Sequence, residues 1–295
     1  MAADITVSTD FAAIVSVRAT AFDLNTKTLF NADHDDSAVS PIDQFFENTL
    51  SLTRLWAVQS PGFEYRPEVG ILLLLGYVSA VESYMRALIR RVVAVDSYSQ
   101  AHCEKQQLSF AAAMHHKSAM LPEALLEETV FSGKKEIIAA VTKFLAIKLE
   151  QKGTLELLTQ YDAVCELRHC CVHRFGKLGT KNAISLGLQE HKEFLEKPIR
   201  LSIENISAIA DMLLTVVRSL NNDIFKAILD RTATTRLGGR DSLGLGWTWQ
   251  KHRDRRMYQT YYSIFASLKD AQPSPAADEL YERFRMVFRK VKVKA

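Results

Sequence analysis

A chain of 295 residues that is 47% hydrophobic and 24% charged can close an apolar core, which excludes a mainly disordered, collagen-like or disulfide-scaffold protein. Only 12 Gly and 7 Pro interrupt it, so long helices are expected in preference to a strand-rich sandwich. The net charge of +3 hides an asymmetry, 14 basic against 6 acidic residues from Arg231 onward and 23 against 28 before it, and a basic end of this kind can attract phosphate backbones, solvate a surface or grip an acidic protein.

Residues 1–39 show little helical period and read as an N-terminal extension with room for one strand. The start Met1-Ala-Ala-Asp4 has neither a basic nor an apolar leader region, so a cytoplasmic location is expected. Ser40-Pro41-Ile42-Asp43 offers an N-cap, a proline at the first helical position and a carboxylate two residues on, and a helix carrying Phe45, Phe46, Leu50 and Trp56 should follow until Pro61-Gly62. Pro67-Glu68 opens the next helix, which runs through Leu72, Leu75, Val78, Val81, Met85, Leu88 and Val92. Its apolar stretch Val69 to Val81 stops at Glu82, short of the roughly 20 residues a membrane span needs, so no membrane association is expected.

Residues 101–116 read as one helix broken at Leu121-Pro122, and Ser132 as the cap of a helix carrying Ile137, Val141, Phe144 and Leu145. The next helix begins near Thr154 and stops at Gly176. Two short apolar runs, 183–188 and 199–203, suggest a hairpin, and residues 204–230 a long closing helix. The expectation is therefore an all-α bundle over 40–231 with a small β-hairpin, followed by a basic helical C-terminal extension over 232–295.

The helix before Gly176 packs two imidazoles and two guanidiniums into Arg168-His169-Cys170-Cys171-Val172-His173-Arg174. Unpaired charges are costly to bury, so these side chains should face solvent, a groove or another subunit. They can also be surface cations at a helix end, where they complement the dipole. A zinc site is a further reading, because His169 and His173 lie four apart with Asp162, Glu166 and Cys170 nearby, although no Cys-x-x-Cys or His-Glu-x-x-His pairing accompanies them. Cys103, Cys165, Cys170 and Cys171 form no spaced framework and read as free thiols of a reducing compartment.

The glycine-rich run from Leu237 to Gly246 lacks the Gly-Lys-Ser/Thr of a phosphate loop and reads as a connection. Beyond it, Trp247, Trp249 and Tyr258 interleave with Lys251, Arg253, Arg255 and Arg256, as single-strand-binding surfaces do, although aromatic packing in a dimer accounts for the same pattern.

The Arg-x4-His pattern Arg168-His169-Cys-Cys-Val-His173 lies late in a helix and is followed by Arg174-Phe-Gly176, a hairpin candidate and a long apolar helix. In this it resembles the motif of HEPN-domain ribonucleases. The segment Gly76 to Arg86, with Glu82 in apolar surroundings, resembles an early helix of that family, and the likeness spans about residues 40 to 230. The resemblance implies a HEPN-like bundle acting as a homodimeric, metal-independent endoribonuclease with no cofactor. His173 and Arg168 would carry catalysis and leave 2′,3′-cyclic phosphate and 5′-hydroxyl ends. His169 fills a polar position often held by Asn or Asp, and Glu82 would be accessory, holding Arg168 or pairing within its own helix with Arg86. Arg174, Lys177, Lys251, Arg253, Arg255 and Arg256 are the candidate RNA contacts. Such an enzyme implies a toxin or antiphage-defence role with an inhibitory or activating protein partner, and a non-catalytic RNA- or protein-binding module is the competing class.

Overall fold

The computed structural model describes residues 24–31, 33–34, 38–57, 65–116, 120–235 and 244–289. The chain divides into two units, Met1–Asp36 and Ser37–Ala295. In the first, a 3-10 turn spans Thr26–Leu29, with the Asn25 side chain accepting from the Lys27 N–H. The strand considered for residues 1–36 falls chiefly on positions outside the described residues, as do most of the glycine-rich run from 237 onward and the Pro61-Gly62 break.

Among its described residues the second unit is all-helical, with eleven α-helices and an isolated antiparallel bridge between Lys177 and Pro198. Helix α1 (Pro41–Ala57) starts as its sequence demands, with the Ser40 hydroxyl accepting the Asp43 N–H at 3.3 Å. Helix α2 (Pro67–Val95) is the hub, burying Leu74, Tyr77, Val78, Val81, Met85, Leu88 and Val92. Among the described residues it alone is long and apolar enough to cross a membrane, yet more than half of its most apolar window is buried inside the fold. It packs against α1, α6 (Lys134–Leu145), α7 (Lys152–Arg174) and α9 (Ile203–Thr234).

Residues 97–124 form three short helices, α3 (Ser97–Cys103), α4 (Phe110–His115) and α5 (Leu121–Ala124), instead of one. Two side chains make this division: Asp96 accepts the Ser99 N–H at 2.7 Å and Ser109 accepts the Ala112 N–H at 3.1 Å, each starting a new helix. Leu121-Pro122 opens α5, where proline fits the first turn, and does not break a longer helix. Ser132 does not cap α6. Its role passes to Asp162 on α7, whose carboxylate accepts the Lys134 N–H at 2.6 Å and so ties the two helices together.

The expected hairpin is absent. Residues 183–188 lie in helix α8 (Thr180–His191), which is interrupted at Gly187 (φ 104°), and Ala183 and Leu186 turn toward Cys170 and Leu178 while Ile184 and Leu188 stay exposed. The apolar run therefore follows the i, i+3 spacing of a helix, a distinction that a short run does not reveal. What remains of the hairpin is a backbone clasp in which Ile199 N–H reaches Gly176 O at 2.8 Å and Glu196 N–H reaches Leu178 O at 2.9 Å.

Helix α9 begins in a capping box between Ser202 and Asn205 and runs on to Thr234, across the boundary expected at residue 232. The segment beyond is part of the same compact unit. Tyr258, Tyr261, Ile264 and Phe265 of α10 (Lys251–Phe265) and Phe284 of α11 (Ala277–Phe288) join the main core. The turn after α10 is fastened to the start of α1 by Asp43, which accepts from the Ser267 hydroxyl at 2.5 Å and the Leu268 N–H at 2.9 Å. Asp43 thus binds a segment more than two hundred residues away, in addition to standing in the first turn of its own helix.

Candidate active site: a polar cleft along helix α7

Three features place the motif side chains. Helix α7 ends where Phe175 and Gly176 adopt left-handed backbone (φ 51° and 87°), and the Gly176 N–H returns to Cys170 O at 3.1 Å, which sets Arg168 to Arg174 in the last two turns. Leu158, Tyr161, Val164 and Cys165 anchor the helix on its buried side. Beside them, with Cys165 and Arg168 at the boundary, the helix borders a cleft of about 780 Å³ lined by Arg168, His169 and His173 together with Asp162, Glu166 and Glu136. The three side chains of the expected catalytic group thus share one open space, with His173 exposed and the other two half-buried.

His169 and His173 lie edge to face, with ring centroids 4.5 Å apart. Their i, i+4 spacing puts them on one helix face. Asn182, buried at the start of α8, sits 2.7 Å from Glu166 Oε2 and 3.0 Å from His169 Nδ1 through its amide nitrogen. A carboxylate only accepts, so one amide hydrogen goes to Glu166 and the other is left for His169. His169 Nδ1 is then the acceptor and its proton sits on Nε2, leaving a ring held in one tautomer with an N–H donor at its other end.

Glu82 reaches across from α2 to Arg168, with 3.7 Å between Oε1 and Nη2. The alternative pairing with Arg86 does not form, because Arg86 donates to Leu126 O and Thr129 O, each at 2.7 Å, and pairs with Glu123. Both Glu82 and Arg168 keep about 30% of their side-chain surface in solvent, where an ion pair contributes on the order of 0–1 kcal/mol. Arg168 is thereby oriented without being locked, and an incoming anion can recruit it at small cost.

The candidate RNA contacts lie elsewhere. Arg174 pairs with Glu196 at 2.6 Å, and Lys251 with Asp278 at 3.0 Å. Lys177 is exposed beside the backbone clasp, and Arg255 stands 3.9 Å from Asp278. Arg253 and Arg256 are exposed with no ion pair among the described residues. None of these six lines the cleft. The aromatics interleaved with them point inward: Trp247 packs on Trp249, Tyr258, Tyr281 and Phe284 and donates its indole N–H to Thr232 at 3.1 Å. They cement α10 to α11, with Trp247 and Tyr258 buried and Trp249 half-buried.

No group of three or more His, Cys, Asp or Glu side chains converges as metal ligands among the described residues. Cys170, one member of the zinc reading, packs with Leu178 and Ala183 away from the polar cleft. The four cysteines are free and buried. Burial pushes the Cys171 thiol up to about 11 and the Cys165 thiol up to about 12. Thiolate is the nucleophile, so neither serves as one near neutrality. Native protein at pH 8 is expected to alkylate with iodoacetamide roughly a hundredfold or more slowly than the unfolded chain, a ratio that intact-mass time courses measure. Equal rates would place these thiols in solvent.

Sequence reasoning missed Asn182 and Glu136. Asn182 directly precedes the run that reads as a strand, and only its place three residues beyond Gly179 in a helix turns it toward α7. Comparisons with protein-family models, with curated proteins and with solved structures found no match to this chain.

Proposed function

We propose that this protein is a metal-independent endoribonuclease of HEPN type, in which the α7 cleft carries the reaction. The observation that supports it is the shared cleft: one guanidinium and two imidazoles, contributed by a single helix, open on the same space. On this reading Arg168 holds the scissile phosphate and stabilises the extra negative charge of the pentavalent transition state. The exposed His173 takes the proton from the ribose 2′-hydroxyl or gives one to the departing 5′-oxygen. His169, held by Asn182 with its proton on Nε2, donates a hydrogen bond to the phosphate and orients it. Glu82 keeps Arg168 extended toward the cleft. The attack forms a bond from the 2′-oxygen to phosphorus and breaks the bond to the 5′-oxygen, and the proton lost by the 2′-hydroxyl is balanced by the one the 5′-oxygen gains, so no water is consumed in the first step.

By family analogy the reading extends to a homodimer with two such clefts brought together, and to a cytoplasmic toxin or antiphage-defence effector restrained or triggered by a protein partner. Incubation with total RNA in excess EDTA is the test. Fragments with 2′,3′-cyclic phosphate and 5′-hydroxyl ends are expected. Activity lost in EDTA and restored by zinc would overturn the metal-free assignment.

A second reading rests on Glu136, Asp162 and Glu166, three carboxylates lining the same cleft. They oppose a polyanion and suit a basic protein segment, as in a non-catalytic binding module. Binding without cleavage, unchanged in His173→Ala, would select it.

A further inference from the structure

A second cavity, of about 490 Å³, adjoins the cleft at Leu186 and contains none of the polar side chains of the cleft. Leu167 and Cys170 of α7, Leu178, Leu186, Phe194 and Ile199 make its walls apolar. Its volume lies within the range of about 300–1,000 Å³ typical of small-molecule sites, which are likewise apolar with a few polar groups fixing orientation.

The backbone bonds of Leu178 and Ile199 hold together the two strips that wall the cavity, next to the left-handed Phe175 that caps α7 and the left-handed Glu196 (φ 51° and 61°). Between them Gly176, at φ 87°, leaves room that a Cβ would take, since such an atom would stand 2.9 Å from Ile199 Cγ2.

The rim is cationic. Exposed Lys197 and Arg200 supply the charge, His191 lines the cavity beside them, and no Asp or Glu is among the lining residues. Lys197 and Arg200 are exposed and form no ion pair among the described residues. His191 uses Nδ1 to donate to Gly187 O at 2.9 Å, which leaves Nε2 for a ligand. An apolar interior beside unpaired Lys197 and Arg200 complements an apolar group that ends in an anion.

We infer that this cavity binds a single-chain acyl carboxylate, with the tail between Leu167 and Phe194 and the head against Lys197 and Arg200. The inference is independent of the ribonuclease reading, since no residue it uses has a role in catalysis.

Calorimetric titration of the full chain with decanoate, kept below its micelle-forming concentration, tests it. Saturable one-to-one binding is expected, with decanol, the same tail without the charge, at least tenfold weaker. Lys197→Ala/Arg200→Ala should erase that difference, and Leu167→Trp, which fills the cavity, should remove binding. Because Leu167→Trp can disturb folding, Phe194→Trp at an exposed wall position serves as a reporter, and its fluorescence should shift to shorter wavelength as decanoate is added. Absence of saturable binding, equal affinity for decanol, binding that survives Leu167→Trp in a folded protein, or an unresponsive Phe194→Trp would each overturn the assignment.

Discussion

Replacing His173 with alanine is expected to lower RNA cleavage by about 10²–10⁴-fold, the range that a positioned general acid or base supplies. Arg168→Ala is expected to cost on the order of 10²–10³-fold through lost stabilisation of phosphate charge. Neither change should alter helical content or unfolding temperature appreciably, because His173 is exposed and Arg168 forms one half-exposed ion pair. Single-turnover rates on a short RNA, read beside circular dichroism, separate chemistry from folding. Variants that cleave as fast as the native protein would remove both residues from the mechanism. Groups acting as a unit are not additive, so the double variant should lose little more than His173→Ala alone.

Replacing Asp96 with alanine is expected to be the most damaging single change to the fold. Asp96 is fully buried and pairs with Arg231, accepts the Ser99 N–H that starts α3, and accepts the Tyr261 hydroxyl of α10 at 3.1 Å. Arg231 also donates to Leu145 O and to Ser99 Oγ, and lies 5.4 Å over the Tyr98 ring. Burial, only partly offset by Asp96, draws its guanidinium below the usual arginine range. With the carboxylate gone the guanidinium is left in the interior without a counter-charge, a loss of about 3–5 kcal/mol. Denaturant unfolding should show a lower midpoint at unchanged slope. A midpoint within error of the native protein would mean that the pair does not hold α3, α9 and α10 together.

These two results concern different parts of the molecule, and the sequence shows them unequally well. Helices α1, α2, α7 and α9 are legible from local signals: Ser40-Pro41 and Pro67 open the first two, Gly176 closes α7, and apolar spacing marks α9, whose Ser202–Asn205 capping box lies in a run that reads as a strand. The motif group is legible in part, since the i, i+4 spacing puts His169 beside His173, whereas Arg168 and His173, five apart, flank a face and meet only across the cleft. What lies hidden depends on partners far along the chain. Asp162 capping α6, Asn182 fixing the His169 tautomer and Asp43 gripping the turn at 267–268 leave no local pattern. The run 183–188 fits a strand by alternation and a helix by i, i+3 spacing, and contact with Cys170 and Leu178 decides between them. Trp247 and Trp249 likewise look like a binding surface until α11 is folded over them.

The proposed chemistry has one atom that it cannot do without, the ribose 2′-oxygen next to the scissile phosphate. Once cleavage sites have been mapped, a synthetic RNA carrying a single 2′-deoxy substitution at the mapped nucleotide examines that atom alone. The account predicts that this strand stays intact at that position while the all-ribose control is cut. Cleavage of the substituted strand at the native rate would show that another nucleophile is at work and that the α7 cleft does not perform the reaction assigned to it.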